Sequence, residues 1–214
     1  MKTKFLLFVL VLLSIFSLSS CASKQKAPRE RSETYIADLA PFYVDELHLY
    51  TKTTIGNPKI TDIEVSFSPR SNAISFKMKI GLDVIRIVFS YSERQKLFNS
   101  AEQYIDDYNN DLLEDVKPTK KNALIKSELP VSWGVFGMTH DVKVKYITNV
   151  EFLEAKKPYY RIKFDATTDP EDGSTTPAFC IYISPSQWQT IFEMCDQATL
   201  EARCDEIVEQ AEAF

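Results

Sequence analysis

Two stretches of this chain recur in the same order, and that recurrence limits the folds open to it more than any other feature. Lys59-Ile60-Thr61-Asp62-Ile63-Glu64-Val65 matches Tyr146-Ile147-Thr148-Asn149-Val150-Glu151-Phe152, 87 positions later, at three of seven residues. Ile87 to Phe98 matches Ile181 to Phe192 at an offset of 94, keeping Ile, two Ser, Gln and Phe. The offset grows because the second copy carries the loop Thr167 to Pro177 where the first has only Ile80-Gly81-Leu82-Asp83.

Within each copy the apolar residues alternate. Ile63, Val65 and Phe67, then Ile74, Phe76, Met78 and Ile80, then Ile85, Ile87 and Phe89 follow the period of two of strands with one wet face. Val142, Val144, Tyr146, Val150 and Phe152 do the same, as do Tyr160, Ile162 and Phe164, and Phe179, Ile181 and Ile183. Outward charges such as Glu64 beside Lys77 or Lys79, and Glu151 beside Arg161 or Lys163, suit cross-strand pairing. Each series then hands over to a helix. Ser90-x-x-Glu93 and Ser184-x-x-Gln187 have capping-box spacing, and Pro185 suits a first helical position.

Leu97, Phe98, Ala101, Tyr104, Ile105, Tyr108 and Leu112 form one helical stripe, and Ile191, Phe192, Cys195, Ala198, Thr199 and Ala202 another, whose phase drifts afterwards. The expected fold class is α+β: two β-β-β-β-α repeats in a largely antiparallel sheet, helices on one face, related by a pseudo-two-fold. Its expected divisions are a signal peptide at 1–20, a lipidated tether at 21–34, repeat 1 at 35–116, a linker at 117–130 and repeat 2 at 131–214. The repeats share one core. Tyr35 to Leu47 reads as a lead-in helix broken by Pro41, with edge strands at His48 to Thr54 and Val131 to Phe136.

The N-terminus carries an address. Met1-Lys2-Thr3-Lys4 is basic, and Phe5 to Leu18 is an unbroken run of apolar residues and Ser. As a helix that run covers roughly 21 Å, short of the ~30 Å a spanning segment must cross, so it reads as an export signal. It ends in Leu18-Ser19-Ser20-Cys21, which resembles the lipobox of bacterial lipoproteins. The resemblance covers about 25 residues and implies cleavage before Cys21, acylation of Cys21 and attachment to a membrane through its acyl chains. Ala22, rather than Asp, follows the Cys, which by the same analogy favours the outer membrane or cell surface. The tether carries Lys24, Lys26, Arg29 and Arg31 and no apolar periodicity.

Losing Lys2 and Lys4 with the signal leaves 23 basic residues against 30 acidic, which argues against a nucleic-acid partner. Two His and five Gly leave little for metal, phosphate-loop or triad chemistry. Of the other cysteines, Cys195 sits on the buried stripe, Cys204 points away from it in a straight helix, and Cys180 alternates with inward residues. No bridge between them is expected, and no spacing brings His48 or His140 to a thiol. Asp107-x-Asn109-x-Asp111 fails as a calcium loop because Leu112 replaces the turn Gly. Asp169-Pro170-Glu171-Asp172-Gly173 reads as a solvated hairpin loop. No metal site, cofactor or catalytic residue is therefore assigned.

The expectation is a lipid-anchored, non-catalytic envelope protein that binds a protein or small ligand across the duplicated sheet. The alternatives are a structural or adhesive surface lipoprotein and an envelope enzyme. Loops on a rigid sheet are where a ligand site would lie. The candidates are Trp133, Phe136, Met138, His140 and Asp141 in and beside Gly134 to Asp141, together with the hairpin Thr167 to Pro177.

Overall fold

The computed structural model describes residues 34–54, 56–135, 140–153 and 156–212. The chain divides into two compact units, Met1–Arg31 and Ser32–Phe214, and the described residues lie in the second. The signal segment, Cys21, Phe136 and Met138 lie outside the described residues.

The alternating segments form strands β1 (Phe42–Thr53), β2 (Lys59–Ser68), β3 (Ala73–Ile80) and β4 (Asp83–Phe89), followed by helix α1 (Tyr91–Asn109). Then come β5 (Ile125–Gly134), β6 (His140–Leu153), β7 (Lys157–Phe164), the two-residue strands β8 (Thr167–Thr168) and β9 (Thr175–Thr176), and β10 (Phe179–Ile183). Helices α2 (Pro185–Cys195) and α3 (Gln197–Glu212) follow.

The fold is mostly antiparallel β with helices, as expected, but the sheet is not open. It closes into a barrel in the order β1-β10-β7-β6-β5-β4-β3-β2, with β8-β9 a separate ribbon. Pairing of β1 with β10, Thr51 opposite Ile181, makes the closure. Closure removes the exposed edges of an eight-stranded sheet, and a barrel of this size is filled by its own inward side chains. Leu49, Ile63, Val65, Phe67, Ile85, Ile87, Phe164, Phe179 and Ile181 are all buried there. Consequently the apolar face of the sheet is enclosed and only its outward face is left to solvent.

Because neighbouring strands run antiparallel, β4 and β10 end at the same rim, where α1 and α2 begin. Their caps are as read from sequence: Ser90 Oγ accepts from Glu93 N at 3.3 Å, and Ser184 and Gln187 form a complete capping box. The helices do not lie on one face of a sheet; they close this end of the barrel. Tyr104 of α1 and Trp188 of α2 meet the inward ring of Tyr160 edge-on, at 5.6 and 5.2 Å between centroids. The connections 54–58, 81–82, 135–139 and 165–178 leave from the opposite rim.

Three further expectations are corrected. Residues 42–47 are strand, not lead-in helix: a bulge between Tyr43 and Asp45 puts both Val44 and Leu47 inside, and that spacing of three imitates a helical period. The linker is shorter than 117–130, since β5 already begins at Ile125. The terminal helix is two helices, because Asp196 is extended and its carboxylate caps α3 by accepting from Thr199 N at 3.1 Å. No disulfide joins the described cysteines, and Cys204 is buried like Cys195 because the break re-aims α3. The outward pairs form too, with Lys77 on Glu64 at 3.0 Å and Arg161 on Glu151 at 2.8 Å.

Candidate functional site at the open rim of the barrel

The two loops singled out in the sequence meet. Trp133 and His140 are direct partners across β5 and β6, so both side chains fall on the inward side. Their rings lie 5.3 Å apart and tilted by 32°, and Trp133 is buried. The ribbon β8-β9 folds back over the same rim. There His140 Nδ1 lies 3.1 Å from Asp169 Oδ2 and 3.4 Å from Asp172 Oδ2. The His140 and Asp169 side chains are 12% and 10% exposed, so this contact is shielded, while Asp172 is half exposed.

Local chemistry fixes the ribbon's tip. Asp169 N donates to Ser174 O at 2.7 Å, Gly173 N donates to Asp169 O at 2.9 Å, and Glu171 N donates to Asp169 Oδ1 at 2.8 Å. Gly173 supplies the positive φ of 76° that this tight return requires. The Asp172 carboxyl is held below its ordinary range by the hydrogen bond from the Ser174 backbone, with His140 adding to it.

Asp141 does not join this group. It is the next residue on the strand and points outward, where its carboxylate accepts a short hydrogen bond from Ser132 Oγ. It does line an open groove, with Val142 and Lys143 on one wall and the ribbon residues Thr167 to Glu171 on the other. Two candidates, Phe136 and Met138, fall in the undescribed part of the loop.

Sequence reading missed Asp169 and Asp172 as partners of His140, treating their loop as merely solvated. The signal was topological: once β5–β6 and β7–β10 are neighbouring pairs, both long connections must leave from one rim. His140, Asp169 and Asp172 could each offer one ligand atom to a metal ion, as could the exposed trio Glu46, His48 and Asp62 on β1 and β2. In both groups the His already bonds an Asp, His48 Nδ1 lying 2.8 Å from Asp62 Oδ1.

A second polar network lies on the helical side. Tyr146 OH donates to Glu93 Oε2 at 2.9 Å, Ser127 Oγ to Glu93 Oε1 at 3.2 Å, and Lys96 Nζ to Glu93 Oε1 at 2.6 Å. Burial alone would raise the Glu93 carboxyl, but these donors outweigh it and the net shift is downward. The network pins α1 to β5 and β6, a structural task.

Replacing His140 with Ala should loosen the ribbon without disturbing the barrel. A hydrogen bond to a charged group contributes about 1.5–3 kcal/mol, so amide exchange at Asp169 and Gly173 should quicken by about 10- to 100-fold. Exchange in β2 and β3 should stay unchanged. Unaltered protection at Asp169 would show that the ribbon holds itself.

The family described as "Uncharacterised Treponema protein" matches residues 26–202. An "Uncharacterized protein" of Treponema pallidum (strain Nichols) is 25% identical over 181 residues, 83% of this chain. The chain spans 65% of that relative's length. No solved structure gives a significant match.

Proposed function

We propose that this chain, which belongs to the uncharacterised Treponema protein family, is a lipid-anchored envelope protein, acylated at Cys21, that binds a ligand at the open rim of its barrel and is not a catalyst. Support for the anchor is the run from basic start through apolar segment to Leu18-Ser19-Ser20-Cys21. The outer membrane or surface remains the favoured location, on Ala22 alone. The observation that carries the binding reading is the His140–Asp169 contact, because it joins the start of β6 to the long 165–178 connection over a buried Trp133. A rigid barrel presenting such loops is a common arrangement for recognition. With Asp141, Asp169, Glu171 and Asp172 around it, this rim suits a ligand, protein or small molecule, that presents cationic or hydrogen-bond-donating groups.

The same reading includes a duplicated body with a pseudo-two-fold axis. Its support is a symmetry of the ladders. Exchanging Thr51 with Val131, Val65 with Thr148, Phe76 with Ile162 and Ile87 with Ile181 turns each strand pairing into another. Thr51↔Ile181 becomes Val131↔Ile87, Val65↔Phe76 becomes Thr148↔Ile162, and Phe76↔Ile87 becomes Ile162↔Ile181. The pairing of Ile87 with Ile181 is the one the helix-side sequence match gives. The other match is displaced by four residues, since it sets Val65 against Phe152 whereas the ladders set it against Thr148.

A photo-crosslinker at Leu82, 82% exposed in the β3–β4 turn of the open rim, tests the binding reading in whole cells. Adducts from Leu82 should fall several-fold when His140 and Asp169 are replaced with Ala. A crosslinker at Glu102 on α1, at the other end, should give none. Equal yields from both ends would move the site elsewhere.

A further inference from the structure

We infer that the clamp between the barrel rim and the β8-β9 ribbon is a binding site for a divalent transition-metal ion of zinc's class, held by His140, Asp169 and Asp172. The inference names a ligand for the rim and rests, for its place, on the reading of that rim as the binding end. His140 Nδ1 stands 3.1 Å from Asp169 Oδ2 and 3.4 Å from Asp172 Oδ2, and the three ligand atoms lie within 4.8 Å of one another. Atoms bound to one zinc ion at about 2.1 Å stand about 3.0–3.4 Å apart, depending on coordination number. The cluster already has the dimensions of a coordination shell.

Charge asks for a cation there. One imidazole nitrogen carries at most one proton, yet two carboxylates converge on it, so the cluster is negative whether or not His140 is protonated. Among the described residues His140 is the only basic group within ion-pair distance of Asp169 or Asp172. Lys143, on the nearby groove wall, turns instead to Glu128 at 3.6 Å. Asp169 is buried, and a buried carboxylate without full compensation is strongly disfavoured.

An orphaned hydroxyl points the same way. Thr176 is 1% exposed, and its Oγ1 has no hydrogen-bond partner. Thr176 pairs with Thr167, two residues before Asp169, so alternation sends its side chain out on the ribbon face that carries Asp169. Burial agrees, since Thr176 and Asp169 are buried whereas Thr168 and Thr175 are exposed. A water in the ion's shell gives this hydroxyl the partner it lacks. One imidazole with two carboxylates selects zinc and its transition-metal neighbours, because magnesium and calcium take shells of oxygen. Half-exposed Asp172 leaves a way in. Glu46, His48 and Asp62 offer similar atoms, but all three are exposed, so water competes there at every position.

The test uses the full chain in detergent, stripped with a chelator and titrated with zinc chloride at pH 7. It should take up one zinc per chain at micromolar concentration, and magnesium should not bind in that range. His140→Ala should weaken zinc binding by about 100-fold or more, beyond the loss of a merely supporting partner. Asp172→Asn, at the half-exposed ribbon tip where folding is not at stake, should do the same. Thr176→Val keeps the shape without the hydroxyl and should weaken binding by about 10-fold. His48→Ala should change nothing. Zinc should also slow amide exchange at Asp169 and Gly173 in the parent but not in Asp172→Asn. No zinc binding at micromolar concentration, or binding that survives His140→Ala and Asp172→Asn, would overturn the assignment. Zinc bound as expected, with Leu82 adducts indifferent to His140, would uphold the ion and sink the wider rim reading; His140-dependent adducts without zinc binding would do the reverse.

Discussion

Tyr160→Ala is expected to cost about 3–5 kcal/mol, a large part of the 5–15 kcal/mol that keeps an ordinary domain folded. Tyr160 is fully buried, and it is where the barrel and both helices converge. Its ring takes Tyr104 from α1 and Trp188 from α2, both edge-on, and its hydroxyl donates to Ser100 Oγ at 2.9 Å. Truncation removes the apolar contacts, leaves a cavity beneath two helices and deprives Ser100 of its partner. Tyr160→Phe separates the parts: it keeps the ring and loses one hydrogen bond, so it should cost only about 1 kcal/mol. Tyr43→Ala, at a ring 52% exposed, should fall within about 0.5 kcal/mol of the parent. Denaturant midpoints at constant slope measure all three. A Tyr160→Ala loss no larger than that of Tyr160→Phe would mean that the helices do not depend on this contact.

The convergence on Tyr160 was not visible in the sequence, although most of its ingredients were. Alternation located the core strands, and the capping signals Ser90 and Ser184 located the starts of α1 and α2, because both are local properties. Closure of the barrel is not local. It rests on Thr51 meeting Ile181, 130 positions away, and nothing in either segment distinguishes an edge strand from a paired one. The misread segments have local causes. The bulge at Tyr43 and Asp45 replaced a period of two with a spacing of three. Pro130 lies within β5 but just outside the β4–β5 ladder, which starts at Val131, so the missing N–H costs that pairing nothing.

The candidate site divides the same way. His140 and the loop Thr167 to Pro177 were picked out together as loops on a rigid sheet, but the contact between them was not visible. Their contact spans 29 residues and exists only because β7 pairs with both β6 and β10.

Cys21→Ala should remove incorporation of labelled palmitate completely and leave the precursor uncleaved. The size of that effect follows from the chemistry of acyl chains. Each buried methylene contributes about 0.8 kcal/mol, yet one saturated chain of moderate length holds a protein to a bilayer only reversibly, whereas two or three hold it stably. Because the proposed lipobox would place every chain on one residue, losing Cys21 should remove them all together rather than weaken attachment by degrees. The three cysteines of the body provide the control. Cys180 is partly exposed and Cys195 and Cys204 are buried, so Cys180→Ala should leave labelling, processing and membrane fractionation unchanged. The four basic residues of the tether cannot substitute for the chains, since each adds only ~1 kcal/mol at an anionic surface and that is screened by salt. A high-salt wash should therefore release a body that begins at Ala22, without signal or Cys21, while the parent stays with the membrane. Palmitate labelling that survives in Cys21→Ala, or disappears in Cys180→Ala, would place the lipid on the body instead and end the reading of residues 18–21 as a lipobox.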